Sequence, residues 1–243
     1  MDLKEHPLVK FTTGDKEHVG NEYFLESGDK IRYFLETDAL DENNNLKYGK
    51  ERAINKIGHA LHELNPVFKK FTMNKNLAEI AESLEFKDPR VLQSMLIFKQ
   101  PSIGGIVPAH VDSTFLYTDP PSCKGLWFAL EDCTLDNGCM WFAPGSHKKY
   151  PLQKRFVRDG NSATKAVYLE DKSNEPSDDE YVAAPVTAGS LVLIHGLVHH
   201  KSGANKSDKS RWIYTFHMIE GEYPYPSDNW LLPTPAMPFS KLF

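Results

Sequence analysis

Two side chains able to bind a metal stand close together in the run IVPAHVDSTFLYT, residues 106–118: His110 and Asp112. Successive side chains of a strand alternate between faces, so positions 110 and 112 share one face if the run is extended. An imidazole and a carboxylate beside the apolar Phe115, Leu116 and Tyr117 need either water or a cation. The pair alone carries little weight. With ten histidines and 33 acidic residues in 243 positions, about one His-x-Asp/Glu pair arises by chance, and a solvated polar pair is its default explanation.

A second cluster raises the interest of the first. LVLIHGLVHHKSGANKSDKSR offers His195, His199 and His200 as a third ligand. Two imidazoles and one carboxylate on one side of a metal leave open positions, a pattern suited to a non-haem Fe(II) that activates O2. A structural zinc site would instead close with thiolates, and Cys123, Cys133 and Cys139 lack that spacing. Arg211 lies 11 residues past His200, beyond a turn-rich segment. A hairpin there would set Arg211 on the next strand beside the metal, with a planar fork able to grip a carboxylate by two hydrogen bonds. This spacing favours His200 as the ligand. His195 reads as strand-end core, and His199 should face the opposite way from its neighbour. A divalent cation, one carboxylate, a doubly negative 2-oxoacid and one guanidinium sum to zero charge, as a buried site prefers.

The elements that must carry these residues are mostly short strands. KIRYFLE (30–36) reads as a strand, ERAINKIGHALHEL (51–64) as a helix and NLAEIAESLEF (76–86) as a second short helix. From residue 91 the β-type runs VLQSMLIFKQ, STFLYT, GLWFALEDCT, CMWFAPGS, YVAAPV, SLVLIHG and RWIYTFHMI are separated by turn signals. Regular short strands predict an antiparallel sandwich or barrel. The expected organisation is a single domain, 1–243, with a helical N-terminal third (about 1–88) and a β-rich barrel core (about 89–243). EDKSNEPSDDE (170–180) reads as an exposed acidic loop. Lys148, Lys149, Lys154, Arg155 and Arg158 read as a solvated loop, or as a rim that steers an anionic substrate. His59 and His62 read as helix-surface or core-edge residues. His147 is assigned to a turn or the substrate side. His217, at an even offset from Arg211, is assigned to packing first and to the surroundings of the site second.

Composition excludes several classes. Apolar residues make up 40 % of the chain, enough for a core, and the net charge of −5 without a basic run argues against a nucleic-acid partner. The longest apolar runs, SLVLI and GLWFAL, are far too short to span a bilayer. The start MDLKEHPLVKFTTGDKEH has no apolar signal core. Three cysteines without a pairing pattern suggest reduced thiols and a cytoplasmic setting. The peroxisomal tripeptide Ser-Lys-Leu is followed by Phe243, so it is not a terminal address. A small-molecule substrate is expected, with the chain a monomer or weak homo-oligomer.

Taken together, HVD, NGCMWFAPGSH and HKSGANKSDKSR, with FLESGDKIRYF, INKIGHALH, QSMLIFKQP and DNWLLPT, resemble the phytanoyl-CoA dioxygenase family of Fe(II)/2-oxoglutarate oxygenases. The resemblance runs from about Tyr23 to the end. It implies a mainly β fold with flanking helices, a double-stranded β-helix or jelly-roll barrel. It implies Fe(II) bound by His110, Asp112 and His200, Arg211 anchoring the distal carboxylate of 2-oxoglutarate, and further co-substrate contacts from Lys56, Met95, Trp127 and Ser202. Without the resemblance, Lys56 reads as a solvated helical lysine and Met95 as core filling. The family pattern also implies an early N-terminal segment, expected to be absent here. The activity implied is hydroxylation of an unidentified small molecule, a carboxylate or acyl-CoA ester among the classes considered, with 2-oxoglutarate and O2 consumed and succinate and CO2 released. The alternative is a barrel of the same fold that binds metal and ligand only, or an oxygenase or isomerase that does not use 2-oxoglutarate.

Overall fold

A computed structural model describes residues 7–10, 22–160, 163–170 and 174–243. Its frame is a double-stranded β-helix built from antiparallel sheets. The larger sheet runs β1 (Ile31–Leu35), β2 (Ile54–His59), β3 (Pro89–Lys99), β12 (Arg211–Glu220), β5 (Lys124–Ala129) and β10 (Leu191–His195), with β13 (Ser240–Lys241) paired to the start of β3. The smaller sheet runs β4 (Val107–His110), β11 (His200–Ser202), β6 (Met140–Phe142) and β9 (Val182–Ala184). A hairpin of β7 (Lys154–Asp159) and β8 (Ala163–Tyr168) stands apart from both.

β12 shows why its sequence is almost continuously apolar. Strand alternation sends Tyr214, Phe216 and Met218 to one face, where they pack with Leu61, Leu77 and Ala81 of the helical layer. That layer contains α3 (Leu61–Leu64), α4 (Pro66–Thr72) and α5 (Lys75–Ser83). Asn65 and Asn74 cap α4 and α5 by accepting backbone N–H groups with their side chains. The opposite face of β12 presents Arg211, Thr215 and His217 to an interior cavity. Both faces of the strand are therefore buried, one against helices and one against the cavity.

Four local expectations are corrected. Residues 51–64 do not form one helix: α2 (Lys50–Ala53) is followed by β2, and only Leu61–Leu64 is helical again. Ile54 and Ile57 have a spacing compatible with a helix, but β2 is placed between β1 and β3, and the two ladders override it. The N-terminal third is consequently mixed, contributing two strands to the larger sheet. His59 and His62 are 1 % and 2 % exposed, hydrogen-bonded to Ser27 and Ser94 inside the core. STFLYT is not a strand, because β4 stops at His110 and Asp112–Thr114 forms a 3-10 turn. β11 and β12 are not a hairpin either: they lie in different sheets, so the segment after Ser202 crosses from one to the other. α1 (Glu22–Leu25) and α6 (Ser146–Lys149) complete the helices of the described residues.

Candidate active site

The smaller sheet sets two imidazoles side by side. His110 ends β4, His200 begins β11, and the two are cross-strand partners with ring centroids 4.2 Å apart. Each ring is fixed in the same way. His110 Nδ1 donates to the Pro108 carbonyl at 2.8 Å and His200 Nδ1 to the Val198 carbonyl at 3.0 Å. With the proton on Nδ1, a neutral ring keeps its lone pair on Nε2. The turn after β4 then brings Asp112 back toward them, pinned by the Ser113 N–H donating to the Gly196 carbonyl at 2.9 Å. Asp112 Oδ1 lies 3.7 Å from His110 Nε2 and 3.6 Å from His200 Nε2. Ligand atoms of all three residues fall within 4.8 Å of one another.

The electrostatics suit a cation at this point. Burial opposes charge on Asp112, but His200, His217 and His110 around it outweigh that effect and hold its carboxyl below the usual carboxylate range. His110 keeps 25 % of its side chain exposed, yet desolvation by the surrounding protein, followed by the His200 ring, pushes it down to about 4 against the pull of Asp112. The His110 ring is thus a neutral donor at pH 7 and the Asp112 carboxyl is ionised. Asp112 Oδ2 is buried, with His217 Nε2 3.4 Å away. Two imidazoles and one carboxylate facing one another on the wall of a cavity fit Fe(II) with open positions better than a closed zinc site.

At the other end of the strands sits a cluster of basic side chains. Arg211 opens β12, 2 % exposed, with its guanidinium 5.5 Å from the Trp127 ring. Its Nη1 donates to the Gly138 carbonyl at 3.1 Å, while Nε is buried without a partner. Gly138 has φ +85°, and a Cβ there would meet the Gly203 carbonyl oxygen at 2.6 Å, so glycine keeps that carbonyl where Arg211 reaches it. Burial pushes Arg211 down to about 10, which leaves it charged at neutral pH. Lys56 is on β2 rather than on a helix, 4 % exposed, its Nζ 3.7 Å from Met95 Sδ and 5.4 Å from the Phe34 ring centroid. Burial drives its pKa well below the usual lysine range.

One cavity of about 200 Å³ is lined by the three metal-side residues and by Lys56, Met95, Trp127, Ser202 and Arg211. Sequence reasoning missed two charged residues in it. Lys99 is the cross-strand partner of Arg211, and its Nζ donates to the Gly105 and Gly203 carbonyls, both at 2.7 Å. Burial first, then Arg211, pushes it down to about 7. Glu36 accepts the Gly105 N–H at 3.2 Å, and burial raises its pKa against the hydrogen bonds from Asn55 and Gly105. Lys99 was findable, since an offset of four from Met95 on VLQSMLIFKQ places it on the same strand face. Nothing in the sequence marks Glu36.

Other candidates fall elsewhere. The His195 and His147 rings pair at 4.9 Å, and His199 packs edge-on to Tyr150 at 5.8 Å, none of them lining the cavity. The basic cluster does not rim it either. Lys149 pairs with Glu180 at 2.6 Å, Arg155 with Asp228 at 2.7 Å, and Arg158 donates to the Trp230 and Leu25 carbonyls at 2.9 Å. These charges tie the β7–β8 hairpin and α6 to their surroundings.

Similarity to known proteins agrees with this arrangement. The family model described as phytanoyl-CoA dioxygenase (PhyH) matches residues 10–213. The phytanoyl-CoA dioxygenase domain-containing protein 1 homolog of Caenorhabditis briggsae is 45 % identical over 249 residues, covering 100 % of this chain and 86 % of its own. A phytanoyl-CoA dioxygenase of Arabidopsis thaliana is 46 % identical over 222 residues, covering 91 % of this chain and 77 % of its own. Among solved structures, the non-haem alpha-ketoglutarate-dependent carbocyclase SnoK from nogalamycin biosynthesis has a TM-score of 0.57 at 20 % identity, covering 89 % of this chain and 93 % of its own. That likeness is one of fold.

Proposed function

The chain belongs to the phytanoyl-CoA dioxygenase family, and from that premise we propose that it is a dioxygenase hydroxylating a small molecule while 2-oxoglutarate is converted to succinate and CO2. The observation that carries this reading is the convergence, on one cavity, of two imidazoles, one carboxyl and a buried guanidinium. His110, Asp112 and His200 would hold Fe(II). When bound, the iron supplies the O2 chemistry that no side chain can.

The protein supplies orientation and a dry pocket. Arg211 would fix the distal carboxylate of 2-oxoglutarate, with its Nε free of other partners and its plane held against Trp127. Lys56 would add a second cation to that end, Ser202 a hydroxyl donor, and Met95 an apolar wall. Asp112 occupies the carboxylate position of the metal set, which leaves halide no place there and favours hydroxylation over halogenation. The cavity walls are largely apolar side chains such as Phe115, Leu116 and Met140, which exclude water. No residue set in the cavity calls for CoA, so a small substrate, a carboxylate among the classes considered, fits the volume best.

Among the described residues no helix is long and apolar enough to cross a membrane. We assign the enzyme to the cytoplasm on its buried free thiols, and expect a monomer or weak homo-oligomer. The test is anaerobic absorption spectroscopy. Fe(II) and 2-oxoglutarate added together should produce a visible charge-transfer band that neither gives alone, and His200→Ala should abolish it. A protein that binds Fe(II) but shows no band would turn the reading toward an oxygenase or isomerase without 2-oxoglutarate.

A further inference from the structure

His217 lies on β12, 7 % exposed, with Nε2 3.4 Å from Asp112 Oδ2. On the far side of the ring, Gln93 Nε2 stands 3.3 Å from His217 Nδ1. Gln93 and His217 are cross-strand partners, and both are buried in the cavity wall. An amide nitrogen can only donate, so His217 Nδ1 accepts and the ring proton sits on Nε2, pointing at the carboxylate. With the amide reversed, Nδ1 would carry the proton and a bare Nε2 lone pair would face the ionised Asp112.

The opposite strand makes room for this contact. Gly125 on β5 is the other cross-strand partner of His217. A Cβ at position 125 would come to 3.3 Å of Asp112 Oδ2 and 3.4 Å of His217 Nε2, crowding both atoms.

We infer that His217 is a positioning residue for the metal site: its Nε2–H holds the Oδ2 of Asp112 so that Oδ1 is turned toward His110 and His200, with Gln93 fixing the ring and Gly125 leaving the space. It touches neither co-substrate nor substrate in this role, and it acts only through Asp112. The inference rests on the proposed metal reading, and partners that hold a ligating side chain from behind typically alter metal affinity by about 10- to 100-fold when removed.

The test titrates metal-free protein with Co(II) alone, alongside thermal unfolding. His217→Phe keeps ring volume and removes the donor; it should weaken Co(II) binding about tenfold or more. His217→Gln offers an amide N–H at a similar reach and should recover most of that loss, whereas a purely packing role would predict the reverse order. Co(II) affinity of His217→Phe within twofold of wild type, in a folded protein, overturns the inference while leaving the metal reading intact. Failure of wild type itself to bind Co(II), or unchanged binding in Asp112→Ala, overturns the metal reading and the inference with it.

Discussion

Replacing Arg211 by Met probes the co-substrate end of the cavity with the least disturbance elsewhere. Met keeps most of the aliphatic volume beside Trp127 and removes the guanidinium. In the native protein that group gives one hydrogen bond to the Gly138 carbonyl and leaves Nε free. A carboxylate gripped by two charge-assisted bonds gains about 3 kcal/mol, counting about 1.5 kcal/mol for each. That corresponds to about a 100-fold rise in the 2-oxoglutarate KM. The lost bond to Gly138 costs about 1 kcal/mol of stability, or a few degrees of Tm in a chain this size. Arg211→Lys retains the charge without the fork, and about a tenfold rise is expected. Succinate formation at varied 2-oxoglutarate measures KM, and an anaerobic binding titration separates affinity from turnover. A folded Arg211→Met protein whose KM and binding constant both stay within twofold of wild type would refute the assignment of Arg211.

Three further outcomes follow from the same geometry. Lys56→Met should raise the 2-oxoglutarate KM about tenfold by removing one Nζ donor to the carboxylate, and should leave the metal-free protein no less stable because an apolar chain replaces a buried amine, as thermal unfolding will read. Tyr214→Phe strands the Thr72 hydroxyl, which the Tyr214 hydroxyl meets at 2.6 Å; a loss of about 1–2 kcal/mol in denaturant unfolding with unchanged 2-oxoglutarate KM is expected. His62 is held neutral, pushed down to about 4 by burial. Its folded pKa lies below the unfolded value of about 6.5, so the unfolded chain takes up the proton first as pH falls. Stability from this residue is therefore intact above about pH 6.5 and drains away as pH drops toward 4, by up to about 3 kcal/mol. His62→Gln should flatten that slope in urea titrations at stepped pH.

The metal candidates and Arg211 are legible because their chemistry is rare and their spacing constrained. A His-x-Asp pair, a distant histidine and an arginine beyond it form a pattern even when the strand between His110 and Asp112 is in fact broken by a turn. The strands β3, β5 and β12 are legible too, because burial on both faces makes their sequences largely apolar. β2 is not. Its residues fit a helix locally, and only pairing with β1 and β3, remote in sequence, decides the matter. The same holds for Lys56, whose environment changes from water to aromatic rings once its segment is a strand. The contact between His217 and Asp112 is hidden for a similar reason. Strand alternation puts His217 on the inner face, but the turn at Asp112–Thr114 decides which carboxyl it meets. β11, only three residues long and polar in sequence, carries too little pattern to be seen at all.

The central claim is coupled consumption of 2-oxoglutarate at a metal held by His110, Asp112 and His200. Protein loaded anaerobically with Fe(II), then given 2-oxoglutarate and O2, should release succinate and CO2 in equal amounts above a metal-free control, and Asp112→Ala should fall to that control. Wild-type protein that binds Fe(II) in full yet yields no succinate, or an Asp112→Ala variant that matches it, would contradict the account.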